Sequence, residues 1–560
     1  MAIGDELISR GVLSSEQLSA AVAEQSNSGE RLERVLVRLG FATRRDVLAV
    51  IADQFHMPVV DPGALDVEPE ILAALPPKII FKHRCVPISR ENGVLTIATS
   101  DPYDLAAADE LRLATGCPID MVLADEEELA KFIRANYGVG GDTLDAMAAG
   151  LDKAGHVELK PHDEAEQAQE ASVIKLVNDL LAEAISERAT DVHVEPYEHE
   201  LIVRYRIDGV LQKANVPPSI NRFGAAIISR LKIMANLNIA EKRRPQDGRI
   251  TFKPRLPGQA PQEFDLRVSI IPMLFGEGVV LRILSKTAVL LSLNDLGMPD
   301  NVLKSWDGLI ARPHGILLVT GPTGSGKSTT LYASLNRIVS DAIKIITVED
   351  PVEYHVAGVN QIQVNNKVGL DFAAGLRSIL RHDPDVVLIG EIRDKETADT
   401  AIQASLTGHL VFSTLHTNDA AGATTRLLDM GVEPFLVSSS VEGIMAQRLV
   451  RRICKECGAT YKADPADLPH GFVLPESGEL RRGPGCRACR NTGYRGRVGV
   501  YELLRMNDDL RHMITERDSA PDIAHKAKAA GDLTTLIEDG YTKVREGLTT
   551  IEEVLSAVSA

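Results

Sequence analysis

Aromatic side chains are scarce in this chain of 560 residues: Phe, Trp and Tyr make up 4%, and Trp306 is the only tryptophan. Its cores must therefore be aliphatic, and a hydrophobic content of 44% is ordinary for globular protein. No apolar run approaches the roughly 18 residues of a membrane span. The run Val279–Leu284 is broken by Arg282 and soon followed by Lys286, so no transmembrane helix is expected. The first residues, Met1–Gly11, carry Asp5 and Glu6 and lack the apolar stretch of a signal peptide, which predicts a cytoplasmic location. Positive charge is in deficit. With 61 Lys and Arg against 78 Asp and Glu the formal net charge is −17, which disfavours general contact with nucleic-acid phosphates but leaves room for a local basic patch. Cysteine is rare as well. Six are too few for a disulfide scaffold, and four of them form two CxxC pairs, a pattern that suits a reducing compartment and a metal.

The length accommodates roughly three to five domains. Residues 1–139 open with a repeat: the segment from Ala2 returns at Arg31, matching Leu7 to Leu36, Ile8 to Val37, Gly11 to Gly40, Val22 to Ile51 and Gln25 to Gln54. Each copy reads as a short helix stopped at glycine and a second helix, with Ser14–Gln17 and Thr43–Asp46 as N-cap pairs. The matched positions serve equally as a small helical core or as a ligand-binding module. A hairpin is expected to turn at Asn92-Gly93. Residues 140–169, rich in Gly, Ala, Asp and Glu without periodicity, read as a linker. Residues 170–290 read as an α+β domain: Ser172–Arg188 is an amphipathic helix, and strand patterns follow around "LIVRYRIDG", "FDLRVSIIP" and "VVLRILS". From 291 to 450 apolar strands (Ile316–Val319, Ile343–Val348, Val386–Ile389, Leu410–Phe412) alternate with helices, the pattern of a parallel α/β sheet. A cysteine segment, 451–503, and a helical tail, 504–560, complete the chain.

The chemistry concentrates at the ends of those strands. Gly321-Pro322-Thr323-Gly324-Ser325-Gly326-Lys327-Ser328, followed by Thr329, lies between an apolar strand and a helix. Glycines let backbone N–H groups converge on phosphate oxygens, and the helix N-terminus adds its dipole. Lys327 is placed to bridge the β- and γ-phosphates of ATP, and Ser328 to ligate Mg²⁺. Ligands of a parallel sheet sit at the carboxyl ends of its strands. There stand Glu349, Asp350 and Glu353 after one strand, Glu391 after another and His416 after a third. An ATPase needs one carboxylate for the metal and one to orient the attacking water. His409 reads as structural, and His416 as the better phosphate contact. Cys454, Cys457, Cys486 and Cys489 offer four thiolates for a closed tetrahedral Zn²⁺ site, with a loop between the two knuckles. Cys85 and Cys117 read as buried small side chains.

Taken together, "GPTGSGKST", "TVEDPVEY", "DPDVVLIGEIRD" and "GHLVFSTLHTN" resemble the Walker A, Asp, Walker B and His boxes of the secretion ATPase superfamily. The four cysteines and "RRPQDGR" narrow the likeness to type II secretion and type IV pilus extension ATPases, over nearly the whole chain. The resemblance implies a multidomain α/β chain: a RecA-like parallel-sheet P-loop core preceded by a PAS-like α+β domain and an N-terminal helical plus α/β domain, with a tetracysteine zinc-binding insertion and a helical C-terminus. It implies a cytoplasmic homohexamer that hydrolyses ATP to drive pseudopilus assembly. Its partners would be an inner-membrane platform protein and the cytoplasmic domain of a membrane-anchoring assembly protein, which would hold it at the inner membrane. It implies Glu353 as general base, Glu391 beside Mg²⁺, and Arg267 and Arg282 as arginines that reach phosphate; a strand-face salt bridge is the plainer role for those two. A pilus extension motor, a DNA-uptake or nucleic-acid motor, and a regulatory nucleotide-binding module are the rival readings. The sequence departs from the family at Gly278, where a basic residue is common after "GE".

The N-terminal repeat resembles the paired motifs by which some relatives bind cyclic di-GMP, each opening Arg-Leu-Gly. Here the first opens Ala2-Ile3-Gly4 and lacks the arginine; the second opens Arg31-Leu32-Glu33 and lacks the glycine, placing a negative charge where a phosphodiester would sit. Each loss costs a few kcal/mol if the contact is buried. Cyclic di-GMP is therefore expected to bind weakly or not at all, leaving a docking role for this domain. Calorimetry yielding a dissociation constant below about 1 μM would contradict this, and Ala2→Arg combined with Glu33→Gly is expected to strengthen binding.

Overall fold

The second helix of each N-terminal repeat copy starts at a side-chain cap. The computed structural model describes residues 3–141, 143, 144, 147, 169–254, 262–285 and 291–559. Each repeat copy is a helix pair: Ile3–Ser9 with Ser15–Ser28, and Leu32–Arg38 with Arg44–Phe55. Ser14 and Gln17, then Thr43 and Asp46, exchange the reciprocal bonds of a capping box. The matched Leu7 and Leu36 are both fully buried, but Val22 is 44% exposed where its counterpart Ile51 is buried. The repeat thus carries a shared core on only part of its length. Ala2 and most of the expected linker 140–169 lie outside the described residues. Of that linker, Leu144 is buried beside Val139 and Leu176.

The chain divides into two compact units, Met1–Ser285 and Lys286–Ala560. In the first, strands Cys85–Glu91 and Val94–Thr99 pair antiparallel about Asn92-Gly93, and Ile119–Leu123 adds in parallel. A six-stranded antiparallel sheet follows, in the order Val210–Lys213, Leu201–Ile207, Asp191–Pro196, Gly276–Ser285, Phe264–Met273, Gln246–Phe252. Its strands alternate: Leu201, Val203 and Tyr205 are buried, and Arg204 and Arg206 point away from that core. Helix Ala171–Ser186 packs Val177, Leu180, Leu181 and Ala184 into the apolar face. A sheet with one covered face leaves its other face available for polar side chains.

The second unit is built on a seven-stranded sheet ordered Val359–Gln363, Ile345–Glu349, Val386–Ile389, Leu410–Leu415, Gly315–Thr320, Val441–Ile453, Tyr494–Arg505. The first six are parallel and the last pairs antiparallel. Gly315–Thr320 and Leu410–Leu415 are buried along their full length, as parallel strands covered on both faces must be. Trp306, fully buried, donates its indole N–H to Ser334 Oγ at 2.9 Å, on the helix Lys327–Ile338. The sole tryptophan thereby seats the helix of the phosphate loop.

Tyr494–Arg505 is a full sheet strand, although the sequence pattern absorbs its first part into the cysteine segment. Strand Val441–Ile453 runs straight into the first knuckle, and the second knuckle leads within a few residues into the returning strand. The cysteine segment is thus an excursion at the tip of a long hairpin, with its own small hairpin of Ala459–Lys462 and Glu479–Arg482. The tail forms helices Asp508–Thr515, Ala520–Ala529, Leu536–Arg545 and Ile551–Ser559.

Candidate functional site

In the second unit, one edge of the sheet gathers the sequence-predicted groups. The pairings Thr320 with Leu415, Ile389 with Ser413 and Val348 with Ile389 align the carboxyl ends of four strands. Gly321, His416, Glu391 and the loop bearing Glu353 follow those ends directly. Gly321 has φ +145, and a Cβ there would lie 2.5 Å from the Gln447 carbonyl oxygen. Gly326 has φ +90, and a Cβ would meet Gln447 Nε2 at 2.8 Å. Both positions therefore require glycine. Gln447, itself buried, accepts from Thr330 Oγ1 at 2.7 Å, so strand Val441–Ile453 supports the loop from behind.

Lys327 Nζ donates to the carbonyls of Gly321 (2.8 Å) and Pro322 (3.0 Å), folding over its own loop. Burial pulls its ammonium down to about 8; Glu391 works against that shift and Arg448 adds to it. The cation is thus poorly solvated, a cost that an incoming polyphosphate would relieve. Ser328 is exposed at the helix start and Ser325 is buried in the loop. His416 Nε2 lies 3.2 Å from Glu391 Oε2, and Arg393 donates to the other carboxylate oxygen. Burial works to raise the Glu391 carboxyl, but these two partners prevail and hold it below the usual carboxylate range. His409 instead bonds its own turn, with Nδ1 2.9 Å from the Ala404 carbonyl.

The acidic cluster after the strand Ile345–Glu349 divides by burial. Glu349 is buried, bound by the hydroxyls of Tyr332 and Thr347 and by Gln361 Nε2 at 3.2 Å. It is committed to structure. Glu353 is partly exposed, and its backbone N–H donates to Tyr332 Oη at 3.3 Å. Tyr332 stands on the phosphate-loop helix and packs edge-on against Tyr354 at 4.6 Å. Nothing in the linear pattern signals this tyrosine link between the loop of Glu353 and the helix of Lys327, because it depends on contacts between separate elements of the sheet.

Arg267 and Arg282 belong to the first unit. Register places Arg249, Arg267, Arg282, Asp191 and Arg206 in one row across five strands, on the face away from the apolar core. Arg282 Nε lies 3.3 Å from Asp191 Oδ1 and Arg206 Nε 3.7 Å from Oδ2. Arg249, Arg267, Arg282 and Asp191 line a cavity of about 450 Å³. The row sets four guanidinium groups beside one carboxylate, and Asp247 adds a second carboxylate to the cavity lining. Arg249 and Arg206 become visible as members of this row only through strand pairing. At Gly278, a Cβ would lie 2.3 Å from Met273 Cε. The Met273 side chain takes the space that any side chain at 278 would need.

The four cysteines converge, with all four sulfurs within 4.8 Å of one another. The Sγ–Sγ separations are 3.8 Å for Cys454–Cys486, 3.8 Å for Cys457–Cys489 and 3.7 Å for Cys486–Cys489. Sulfurs at ~2.3 Å from a tetrahedral zinc lie about 3.8 Å apart, so the donor set fits Zn²⁺. Burial works to raise both the Cys457 and the Cys489 thiols. For Cys489 the amides of Cys486 and Gly493 outweigh it and lower the thiol, while Cys457 is pushed up. Four thiolates need a cation to share this space.

A strand, a glycine-bearing loop and a helix N-terminus on a parallel sheet define a P-loop protein with a RecA-like core. The chain belongs to the Type II/IV secretion system protein family, whose model matches residues 166–556; the MshEN domain model matches residues 55–143. It is 44% identical to the type II secretion system protein E of Xanthomonas campestris pv. campestris, over 99% of this chain and 97% of that one. It is 42% identical to the type IV pilus assembly ATPase PilB of Myxococcus xanthus, over 99% and 98% respectively. The X-ray structure of the Legionella pneumophila ATPase DotB shares the fold, with TM-score 0.50 and 21% identity over 67% of this chain and 93% of that one. No helix among the described residues is long and apolar enough to cross a membrane.

Purified protein is expected to carry about one Zn²⁺ per chain, because the thiol geometry is already tetrahedral. Cys454→Ser or Cys489→Ser is expected to expose the hairpin tip to protease by uncoupling metal from local folding. Metal analysis of reduced protein finding no zinc would contradict the site.

Proposed function

We propose that the chain is an ATP hydrolase whose turnover drives pseudopilus assembly for type II protein secretion. The observation that supports this best is the convergence, on one sheet edge, of the phosphate loop with Glu353, Glu391 and His416. In this reading Gly321–Thr329 holds the triphosphate, with Lys327 on its β- and γ-oxygens. Ser328 and Glu391 would hold Mg²⁺, which when bound neutralises charge on the transferring phosphoryl group. Glu353 orients the attacking water and accepts its proton, kept in place through Tyr332. His416 steadies Glu391 and faces phosphate. Arg267 and Arg282, with Arg249 beside them, supply positive charge to the transition state when the domains or subunits close.

We infer the remaining assignments from the sequence pattern and the family resemblance. Residues 1–139 dock partners, 140–169 link, 170–290 carry the arginines, 291–450 bind nucleotide, 451–503 hold Zn²⁺, and 504–560 pack as a helical segment. The working form is a cytoplasmic homohexamer held at the inner membrane by a platform protein and by the cytoplasmic domain of a membrane-anchoring assembly protein. Identity of 42% to a pilus assembly ATPase over nearly the whole chain favours pilus extension as the second reading. The net charge of −17 counts against a nucleic-acid motor.

Lys327→Ala is expected to lower ATP turnover at least 10²-fold, roughly the scale of losing one preorganised electrostatic partner. Glu353→Gln is expected to abolish turnover while ATP still binds, and Glu391→Gln to shift the Mg²⁺ requirement. Arg267→Ala and Arg282→Ala are expected to reduce kcat more than affinity. Steady-state turnover together with equilibrium binding separates these outcomes. Wild-type turnover in Lys327→Ala would contradict the reading.

A further inference from the structure

Arg448 is a buried cation, 3% exposed, that the proposed chemistry does not use. It stands on strand Val441–Ile453, directly behind the phosphate loop. Its three donor nitrogens bond three backbone carbonyls from three parts of the unit. Nη1 donates to Gln447 O at 3.2 Å, Nη2 to Asn418 O at 3.0 Å, and Nε to Ala557 O at 3.2 Å. Asn418 lies in the loop that begins with His416, and Ala557 in the final helix Ile551–Ser559. Gly321 completes the arrangement, since a Cβ there would lie 3.0 Å from Arg448 Nη1. One side chain thus touches the root of the phosphate loop, the His416 loop and the carboxyl end of the last helix, where the helix dipole favours a cation.

Its direct partners carry no charge, and the charged groups near it stand one step further away. All three direct partners are neutral carbonyls, and Lys327 is a nearby like charge. Opposite charge comes from Asp419 and Glu502. Glu502 is itself occupied, accepting from Ala420 N at 2.8 Å and Leu536 N at 3.2 Å and so capping two helices at once. A buried guanidinium whose direct partners are all neutral is costly even with Asp419 and Glu502 nearby, and further negative charge arriving lowers that cost.

We propose that Arg448 is a positioning residue that shapes the phosphate loop and transmits its occupancy to the C-terminal helix. Phosphate on Lys327 relieves the crowding of two cations, and Arg448 then holds the carbonyls of Gln447, Asn418 and Ala557 more firmly. Coupling of this kind is reciprocal: whatever the loop does to the helix, the helix does to nucleotide affinity. The inference rests on reading the phosphate loop as a nucleotide site.

The test uses the full chain, with MgADP binding followed by calorimetry and backbone hydrogen exchange measured with and without MgADP. In the wild type, MgADP is expected to slow exchange in 551–559 several-fold. In Arg448→Ala the MgADP affinity is expected to fall about tenfold, and protection of 551–559 is expected to vanish. Arg448→Lys keeps the charge but cannot meet three carbonyls at once, so affinity is expected to recover in part while the helix stays unresponsive. A chain ending at Leu555 removes the Ala557 carbonyl and leaves Arg448, and is expected to show the same loss of affinity; it serves if Arg448→Ala does not fold. MgADP affinity within about twofold of wild type in Arg448→Ala, or in the shortened chain, would overturn the inference alone. A wild type that binds no MgADP would overturn the site reading and this inference with it.

Discussion

The second unit depends on a close approach of backbone to backbone. Where strand Gly315–Thr320 ends, Gly321 passes the Gln447 carbonyl so tightly that a single methyl group would lie 2.5 Å from its oxygen. The phosphate loop can therefore turn only as glycine permits, and the turn aims backbone N–H groups and the helix N-terminus at one point. The groups behind that turn are fixed in kind: Gln447 is hydrogen-bonded to Thr330, and Thr320 Oγ1 meets Thr417 Oγ1 at 2.7 Å. The loop is the visible edge of a packed block, which is why its geometry is set before any nucleotide arrives.

Electrostatics follows from the same packing. Lys327 is buried enough to hold its proton weakly and feels the charge of Glu391, itself held by Arg393 and His416. Such poised groups cluster where charge is to be handled. The first unit carries a local cluster of positive charge, a row of four arginines and Asp191 on the open face of an antiparallel sheet. In the proposed function these arginines add positive charge to the transition state.

Local patterns make much of this legible in the sequence. The strand–loop–helix around Lys327, the acids after strand ends, the cysteine knuckles, the Ser14 and Thr43 capping boxes and the turn at Asn92-Gly93 all rest on residues close in sequence. What stays hidden rests on residues far apart. Glu349 and Glu353 look alike as letters, yet Tyr332, Thr347 and Gln361 bury the former and leave the latter partly exposed. Tyr494–Arg505 reads as an extension of the cysteine segment until its pairing with Val441–Ile453 makes it a sheet strand. Arg249 and Arg206 join the arginine row only through register, and Arg448 looks like one more charge in a basic stretch until Asn418 and Ala557 are brought to it.

The central claim is that a backbone turn buttressed by strand Val441–Ile453 forms the nucleotide site and that ATP turnover depends on it. Substituting Gly321→Ala tests this most directly, since it changes one methyl group at the point of closest approach. ATP hydrolysis and MgATP binding should both be lost in a protein whose far-ultraviolet circular dichroism and zinc content match the wild type. Gly321→Ala protein that binds and hydrolyses ATP as the wild type does would contradict the account.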